Sequence, residues 1–529
     1  MYYAYQIYIY MLVIIPTAGI GSRLDLVTKN FNKSMIQLGD TPVISKIIDS
    51  YPLNAKFIII TGYKGDHIKE YLRLIYPKKN IKIIRIKLFN GPGSSLAYSL
   101  SQALNIINES FFFHANDTIF TDKKFYTKIN KDTLFLNKKN CDTMKYATVE
   151  FGNSYKKIHN KLNYLRKDYF NYTGVGFIKD YKKFKKILKD FKKNDGELSY
   201  FKSLNPNNID YRFIKGWHDI GSKETKERAE IFFSTYKNIL PKNDQGIFFK
   251  KNKVYKFFTN KDIVKKRFER SHILKPFVPL IIKKTKYFYV YKFINGVVFS
   301  KLKNKRKEFL KLLDWLNKTF WKKKVLTKNK SSVFEQKCNN FYYEKSLSRI
   351  NYLYEKNNIN DKAELIDNVK TPKISSMFEK INWRDINNGI PVNFHGDLHF
   401  ENIIKSKNKI TLLDWREDFS NIKNYGDIYY DLAKINHGLI VNHNMIKLSK
   451  FSVNINKKKV KINYHQSNED KECQKILYKF LKKKKYSIKK VKILTSIIFL
   501  NIAGLHHYPY SIFLYYLGKK MLSKSLSED

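Results

Sequence analysis

Cysteine is nearly missing from this chain: Cys141, Cys338 and Cys473 are all that 529 residues contain. They lie far apart and follow no paired or metal-ligand spacing, which excludes a disulfide framework and a structural zinc site and fits a reducing cytosol. Proline (12) and glycine (21) are also scarce, so collagen-like and globally disordered compositions are excluded. No apolar run reaches the ~20 residues of a membrane-spanning helix. The nearest, MYYAYQIYIYMLVIIP, is short and has no basic segment ahead of it, so it is not read as a signal. Residues 1–10 are an extension, either unstructured or an artefact of start-site choice, and no stable membrane insertion is expected. Acidic residues are few: 46 against 101 Lys and Arg, a net charge of +55. Such an excess raises the idea of a nucleic-acid partner. Here the lysines are spread through a sequence also crowded with Asn, Ile, Tyr and Phe, so compositional bias accounts for them and no nucleic-acid partner is expected.

What is abundant is core material, 43% hydrophobic and 16% aromatic residues. At this length two or three domains are the default. From Met11 short apolar runs (MLVII, FIIIT, IKIIRI, FFFH) alternate with helical stretches, the pattern of βαβ units on a largely parallel α/β sheet. Ligands of such sheets bind beyond the carboxyl ends of the strands, here the turns beginning at Thr17, Thr61, Phe89 and His114. The polar connector YKNILPKND ends the pattern, and QGIFFKKNKVYKFF opens a hairpin-like antiparallel one. The expected division is therefore 11–240 and 241–529, the second part splitting near residue 300, and a fragment ending near Pro241 is expected to fold alone.

PTAGIGSRLDLVTKNFNKS places Gly19 and Gly21 in a turn after the first strand, Arg23 just beyond, and Lys33 ten residues later. Glycines let backbone N–H groups approach a triphosphate, and two cations offset its charge. Leu24 stands where a dinucleotide-binding fingerprint needs its third glycine, and GxxxxGK[ST] occurs nowhere. Read whole, through GDTPVI, TGYKGDHIKEYL, GPGSSLAYSL, HANDTIF, NYTGVGF and WHDIGSKETKERAE, the stretch resembles the sugar-phosphate and phosphocholine nucleotidyltransferases. Leu26 and Asn32 stand where that family usually has proline. The resemblance implies a Rossmann-like nucleotidyltransferase sheet, catalytic Arg23 and Lys33, nucleotide contacts at Gly19, Gly21 and Gly93, Gly174 near the acceptor, and Mg2+ held by Asp117 and Asp219. Taken singly, each aspartate reads as a turn or N-cap residue; their joint placement favours the metal. Lys161 is either the family's acceptor-phosphate lysine or a surface lysine.

NFHGDLHFENIIKSKNKITLLDW spaces Asp397, Asn402 and Asp414 as phosphoryl transfer requires, one carboxylate to orient the acceptor hydroxyl and an amide oxygen with a second carboxylate to hold magnesium on ATP. It resembles the aminoglycoside phosphotransferase and choline kinase family. That implies a two-lobed α+β protein-kinase-like phosphotransferase domain (lobes about 244–300 and 301–529), Asp397 as base, Asn402 and Asp414 as magnesium ligands, and His395 organising the loop. Asp431, in YGDIYYDLAKI, supports that loop. Lys256, in KVYKFF, is placed for the ATP phosphates, or is an exposed strand lysine. Glu269 is a candidate partner for it, and Tyr291 lies in the segment expected near the adenine.

A kinase makes the phosphomonoester that a nucleotidyltransferase consumes. Together the resemblances imply a cytoplasmic bifunctional enzyme that phosphorylates a sugar or amino alcohol with ATP and Mg2+, then couples it to a second nucleoside triphosphate, CTP or UTP, for surface polysaccharide or lipopolysaccharide precursors. The alternatives are a choline kinase and phosphocholine cytidylyltransferase, whose quaternary ammonium would need an aromatic cage, and a nucleotidyltransferase with a non-catalytic kinase-like domain. The partners expected are small-molecule substrates.

Overall fold

A computed structural model describes residues 11–24, 26–139, 141–153, 155–189, 196–234, 244–407 and 409–528. The extension 1–10 and the connector at Leu240 and Pro241 lie outside the described residues. The protein is mixed α/β, and the chain divides into two compact units: one runs to Lys261 and includes Thr285–Val290, the other holds Asp262–Lys284 and Tyr291–Asp529.

In the first unit β1 (Leu12–Pro16), β2 (Lys56–Thr61), β3 (Ile81–Arg85) and β4 (Phe111–His114) are parallel, ordered β4-β1-β2-β3. The apolar runs of β1, β2 and β4 follow from cover on both faces, since successive strand side chains point to opposite sides; β3, at the sheet edge, exposes Lys82 and Arg85. Leu12 and Ile14 join Ile58, Ile60, Phe111 and Phe113 in one core, while Val13 and Ile15 join Phe57, Ile59 and Phe112 in the other. Helix α1 (Leu26–Asn30) follows the turn after β1. Helices α2 (Val43–Asp49) and α3 (Gly65–Ile75) cover the second face, and α4 (Leu96–Ser101) the first.

Beyond β4 come β5 (Thr118–Phe120), β6 (Thr133–Asn137), β7 (Thr148–Phe151), β8 (Lys156–His159), β9 (Phe170–Ile178), β10 (Asp210–Phe213) and β11 (Trp217–Asp219). Strand β9 pairs antiparallel with β4, β6 and β7, widening the sheet to nine described strands, while β5 and β11 form a separate antiparallel ribbon.

The hairpin read from QGIFFKKNKVYKFF is present as β12 (Gln245–Lys250) and β13 (Lys253–Phe258). Lys251 and Asn252 close it with φ of 50° and 56°, the left-handed pair whose twist suits a two-residue turn. The division expected after residue 240 is displaced, because this hairpin and part of β14 (Phe288–Lys292) belong to the first unit. The cause is apolar: Phe248, Tyr255, Phe257, Phe288 and Val290 share the core that holds Tyr71 of α3. Phe248 and Tyr71 stand 5.3 Å apart ring to ring, and Phe257 and His67 4.9 Å. Thr285 Oγ1 and Tyr287 N donate to Glu70 at 2.6 and 3.0 Å. A polar connector marks a chain boundary, but not a boundary of the core.

The second unit opens with α5 (Lys261–Ile273) and includes α6 (Lys345–Asn357), the strand pair β15 (Ile403–Lys405) and β16 (Ile410–Leu412), and the helices α7 (Ile428–Ile440), α8 (Ile488–Ala503) and α9 (Tyr510–Ser527). Helix α8 is apolar on nearly every side because α7 and α9 pack against it. Among the described residues no helix is long and apolar enough to cross a membrane.

Candidate functional site

The first candidate site lies along the carboxyl edge of the parallel strands. After β1, Gly19 and Gly21 lead to Arg23, which is exposed in the short turn Ser22–Leu24. Gly21 adopts φ +69°, and its carbonyl accepts from Leu24 N and Thr28 Oγ1, both at 3.0 Å. Gly93 (φ +81°) sits in the exposed loop between β3 and α4. Lys33 is buried, and its ammonium donates to Asp117 Oδ2 at 2.6 Å.

Asn32 resolves the departure from proline. Its backbone holds φ −69° and ψ 143°, the conformation a proline ring would impose. Its Nδ2 donates to the carbonyls of Thr17 and Tyr63 at 2.8 and 2.7 Å, and its Oδ1 accepts from Ser34 N at 2.9 Å. Hydrogen bonds replace the ring as the loop's restraint. Asn32→Pro should keep the backbone path yet lose all three bonds, lowering stability by about 1–3 kcal/mol in a urea titration. An unchanged midpoint would show that these bonds do not hold the loop.

The ribbon brings the two aspartates together. Register sets Asp219 opposite Thr118, and Ile220 N donates to the Asp117 carbonyl at 2.8 Å. Asp219 accepts from Tyr146 OH and Gly221 N, both at 3.0 Å. Burial works to raise both carboxyls. At Asp117 the Lys33 ammonium outweighs burial and the pKa is lowered; at Asp219 the charge of Asp117 adds to burial and the pKa is raised. Two hard oxygen donors, one pressed toward protonation by the other, fit a divalent cation such as Mg2+. Lys161 is exposed just after β8 and senses the same cluster: lost hydration and Arg23 lower its pKa, while Asp117 and Asp219 oppose them. Gly174 interrupts β9 at φ +83°, where a Cβ would stand 2.9 Å from that of Ala115, so only glycine lets the strand approach the Asp117 turn this closely.

His114 was not singled out by sequence. It is fully buried at the end of β4 with Nε2 3.0 Å from the Thr118 carbonyl and Nδ1 2.8 Å from Tyr51 OH. A carbonyl only accepts, so the proton sits on Nε2, and Tyr51 donates to Nδ1. Burial lowers its pKa to about 4, which keeps it a neutral strut beneath Asp117.

The second candidate site belongs to the second unit. Ile403 pairs with Leu412 across β15 and β16, and Leu413 N donates to the Asn402 carbonyl at 2.7 Å, so Asn402 and Asp414 flank one end of a strand pair. Asn402 Nδ2 donates to Asp397 Oδ2 at 3.2 Å and to the Asp397 carbonyl at 2.8 Å. Asp431, on α7, accepts from His395 N, Gly396 N and Trp321 Nε1 at 2.8, 2.7 and 3.1 Å, and burial raises its pKa to about 6. His395 is buried with its pKa lowered to about 3, and its neutral Nδ1 accepts from Asp397 N at 3.2 Å. Gly396 (φ +87°) has no room for a Cβ, which would meet Arg416 Cβ at 2.5 Å.

Residues the motif did not announce complete this site. Lys434 of α7 pairs with Asp397 Oδ1 at 2.7 Å. Arg270 of α5, 1% exposed, donates to the carbonyls of Phe394, Arg416 and Lys423, tying the loop before Asp397 to the segment after Asp414. Arg267 stands 3.7 Å from Asp414 Oδ1. Glu269 is bonded to Lys423, and on α5 the inward position is that of Arg270. Lys256, on β13 of the first unit, is 4% exposed rather than a surface lysine, and Tyr291 is likewise buried. His399 lies 3.2 Å from Glu401 and 3.7 Å from Asp397; burial opposes its charge, yet the carboxylates outweigh burial and raise its pKa to about 9. His399, Glu401 and His443 offer donor atoms within 4.8 Å of one another.

No family model matches the chain. A 64-residue stretch, 12% of the chain, is 39% identical to a probable glucose-1-phosphate cytidylyltransferase of Bacillus subtilis (strain 168), and the chain spans a quarter (25%) of that protein's length. Among solved structures, a CTP:phosphocholine cytidylyltransferase from Streptococcus pneumoniae aligns in full with 43% of the chain at 17% identity and a TM-score of 0.36. An inositol-1-phosphate CTP transferase from T. maritima aligns over 94% of its length with 42% of the chain, at 17% identity and a TM-score of 0.34. On that 64-residue match, the N-terminal region resembles a sugar-phosphate nucleotidyltransferase.

Proposed function

We propose that the chain performs two consecutive transfers: phosphorylation of a small hydroxyl acceptor by ATP in the second unit, and coupling of the resulting phosphomonoester to a nucleoside triphosphate, with pyrophosphate release, in the first. The observation that carries the reading is the convergence of Lys33, Asp117 and Asp219 on one strand edge. Arg23 and Lys33 bring positive charge to the triphosphate, and Lys161 to the acceptor phosphate, whose oxygen attacks the α-phosphorus as the bond to pyrophosphate breaks. Mg2+ held by Asp117 and Asp219 would neutralise charge on the α-phosphate and the leaving pyrophosphate. The cytidylyltransferase stretch favours CTP.

In the second unit Asp397 takes the acceptor hydroxyl proton as that oxygen attacks the γ-phosphorus and the bond from it to the β–γ bridging oxygen breaks, releasing ADP, while Asn402 and Asp414 are the residues that would hold Mg2+ on ATP. Lys434 and Asn402 fix the Asp397 carboxylate. The product fits an activated precursor for surface polysaccharide or lipopolysaccharide.

The test is product analysis with ATP, CTP, UTP, GTP, magnesium and a panel of sugars and amino alcohols. ADP should form from the free acceptor and pyrophosphate from the phosphorylated one. Asp397→Asn should slow ADP formation by roughly 10²- to 10⁴-fold with little change in KM for ATP, and Asp414→Ala should remove it while leaving pyrophosphate release from a supplied phosphomonoester. Pyrophosphate release with no ADP from any acceptor would leave the second unit non-catalytic.

A further inference from the structure

Beside Asp397 the second unit gathers cations. Lys345 opens α6, Arg349 lies one turn on, Arg416 follows Asp414 by two residues, and Lys434 holds Asp397. Lost hydration depresses the Lys345 ammonium, and Arg416, Arg349 and Lys434 push it the same way; Glu417 is the carboxylate that opposes them. Among the described residues no carboxylate or carbonyl bonds Lys345. Its Nζ rests 4.0 Å from the centre of the Phe341 ring and 5.9 Å from that of Tyr430. Arg416 stands over Phe341 at 4.9 Å, its Nε buried without an acceptor among the described residues, its nearest carboxylate Glu417 at 3.9 Å. Glu417 is shared with Arg267 at 3.7 Å. Arg416 also faces Asp418. Lys345, bonded to no carboxylate or carbonyl among the described residues, and the Arg416 Nε are thus the cationic groups beside the proposed base that lack an anionic acceptor.

Like charges held together in a partly buried site are costly unless something anionic joins them. The Phe341 ring, which could help cradle a quaternary ammonium, already has Lys345 and Arg416 against it. We infer that the hydroxyl acceptor phosphorylated at Asp397 is itself an anion, a hydroxy acid or sugar acid whose carboxylate is held by Lys345 and Arg416. This rests on the phosphotransferase reading above, and it disfavours choline and neutral polyols.

The experiment uses the full chain with ATP and magnesium and compares matched acceptors, gluconate with glucitol and glycerate with glycerol, together with choline, by ADP formation. Expected are kcat/KM values at least about tenfold higher for an acid than for its neutral partner and no turnover of choline. Lys345→Met should raise KM for the preferred acid by roughly 10- to 100-fold while leaving KM for ATP unchanged, with Lys345→Arg restoring it. Equal or better use of the neutral partner or of choline overturns the inference, as does a rise in KM for ATP instead. Failure of the phosphotransferase reading looks different: no acceptor gives ADP above the level of Asp414→Ala. In that case binding decides, since gluconate or glycerate should still raise the unfolding temperature of the parent but not of Lys345→Met. Absence of that difference removes the anion site as well.

Discussion

Asp117→Asn and Asp219→Asn should each lower nucleotidyl transfer by on the order of 10³-fold, measured as pyrophosphate release, while ADP formation stays intact. Their effects on stability should have opposite signs. Lys33 and Asp117 have side chains 8% and 23% exposed and are bonded at 2.6 Å, so Asp117→Asn leaves a buried ammonium with a weakened partner and should cost about 3–5 kcal/mol. Asp219 is the carboxyl that burial and Asp117 press toward protonation, so its amide relieves repulsion and should raise the melting temperature. Lys33→Ala should impair transfer, whereas the same change at Lys29, exposed on α1, should matter little. Two inactive variants that melt together, or full activity in either, would remove the assignment of a shared metal site.

A fragment ending at Pro241 should fail to form a stable, soluble domain, while one ending at Val290 should fold. The shorter fragment lacks Phe248, Tyr255, Phe257, Phe288 and Val290, which are 0–5% exposed in the first unit. At about 1.5–3 kcal/mol per fully buried side chain their loss amounts to roughly 8–15 kcal/mol, as much as the whole stability of an ordinary domain. Polar ties go with them: Lys250 to Asp49 and Tyr76, Phe249 N to the Asp40 carbonyl, and Glu70 to residues 285 and 287. Soluble yield and near-ultraviolet circular dichroism compare the two fragments directly. Native-like spectra from both would return the boundary to the connector.

Local chemistry was readable without coordinates wherever a short stretch of chain carries it. MLVII, FIIIT and FFFH became β1, β2 and β4 because a parallel strand covered on both faces is apolar along its run, whereas IKIIRI became the edge strand β3, with Lys82 and Arg85 exposed. The spacing of Asp397, Asn402 and Asp414 is local as well, since a loop and one strand pair separate them. Long-range partners were not readable from the residues around them. Asp219 was joined to Asp117 by the family resemblance alone, since nothing near it announces that β11 will lie against β5, and nothing in QGIFFKKNKVYKFF says whose core its aromatics will enter. In a chain with 101 basic residues, lysine identity carries little information, so Lys33 on Asp117, Lys434 on Asp397 and Lys345 over Phe341 are distinguished from the solvated majority by burial and by what faces them. Composition and periodicity fix which segments become strands and helices, since those depend on neighbours in the chain. Which charges become a site depends on neighbours in space, and for those the folded sheet and the α6–α7 packing decide.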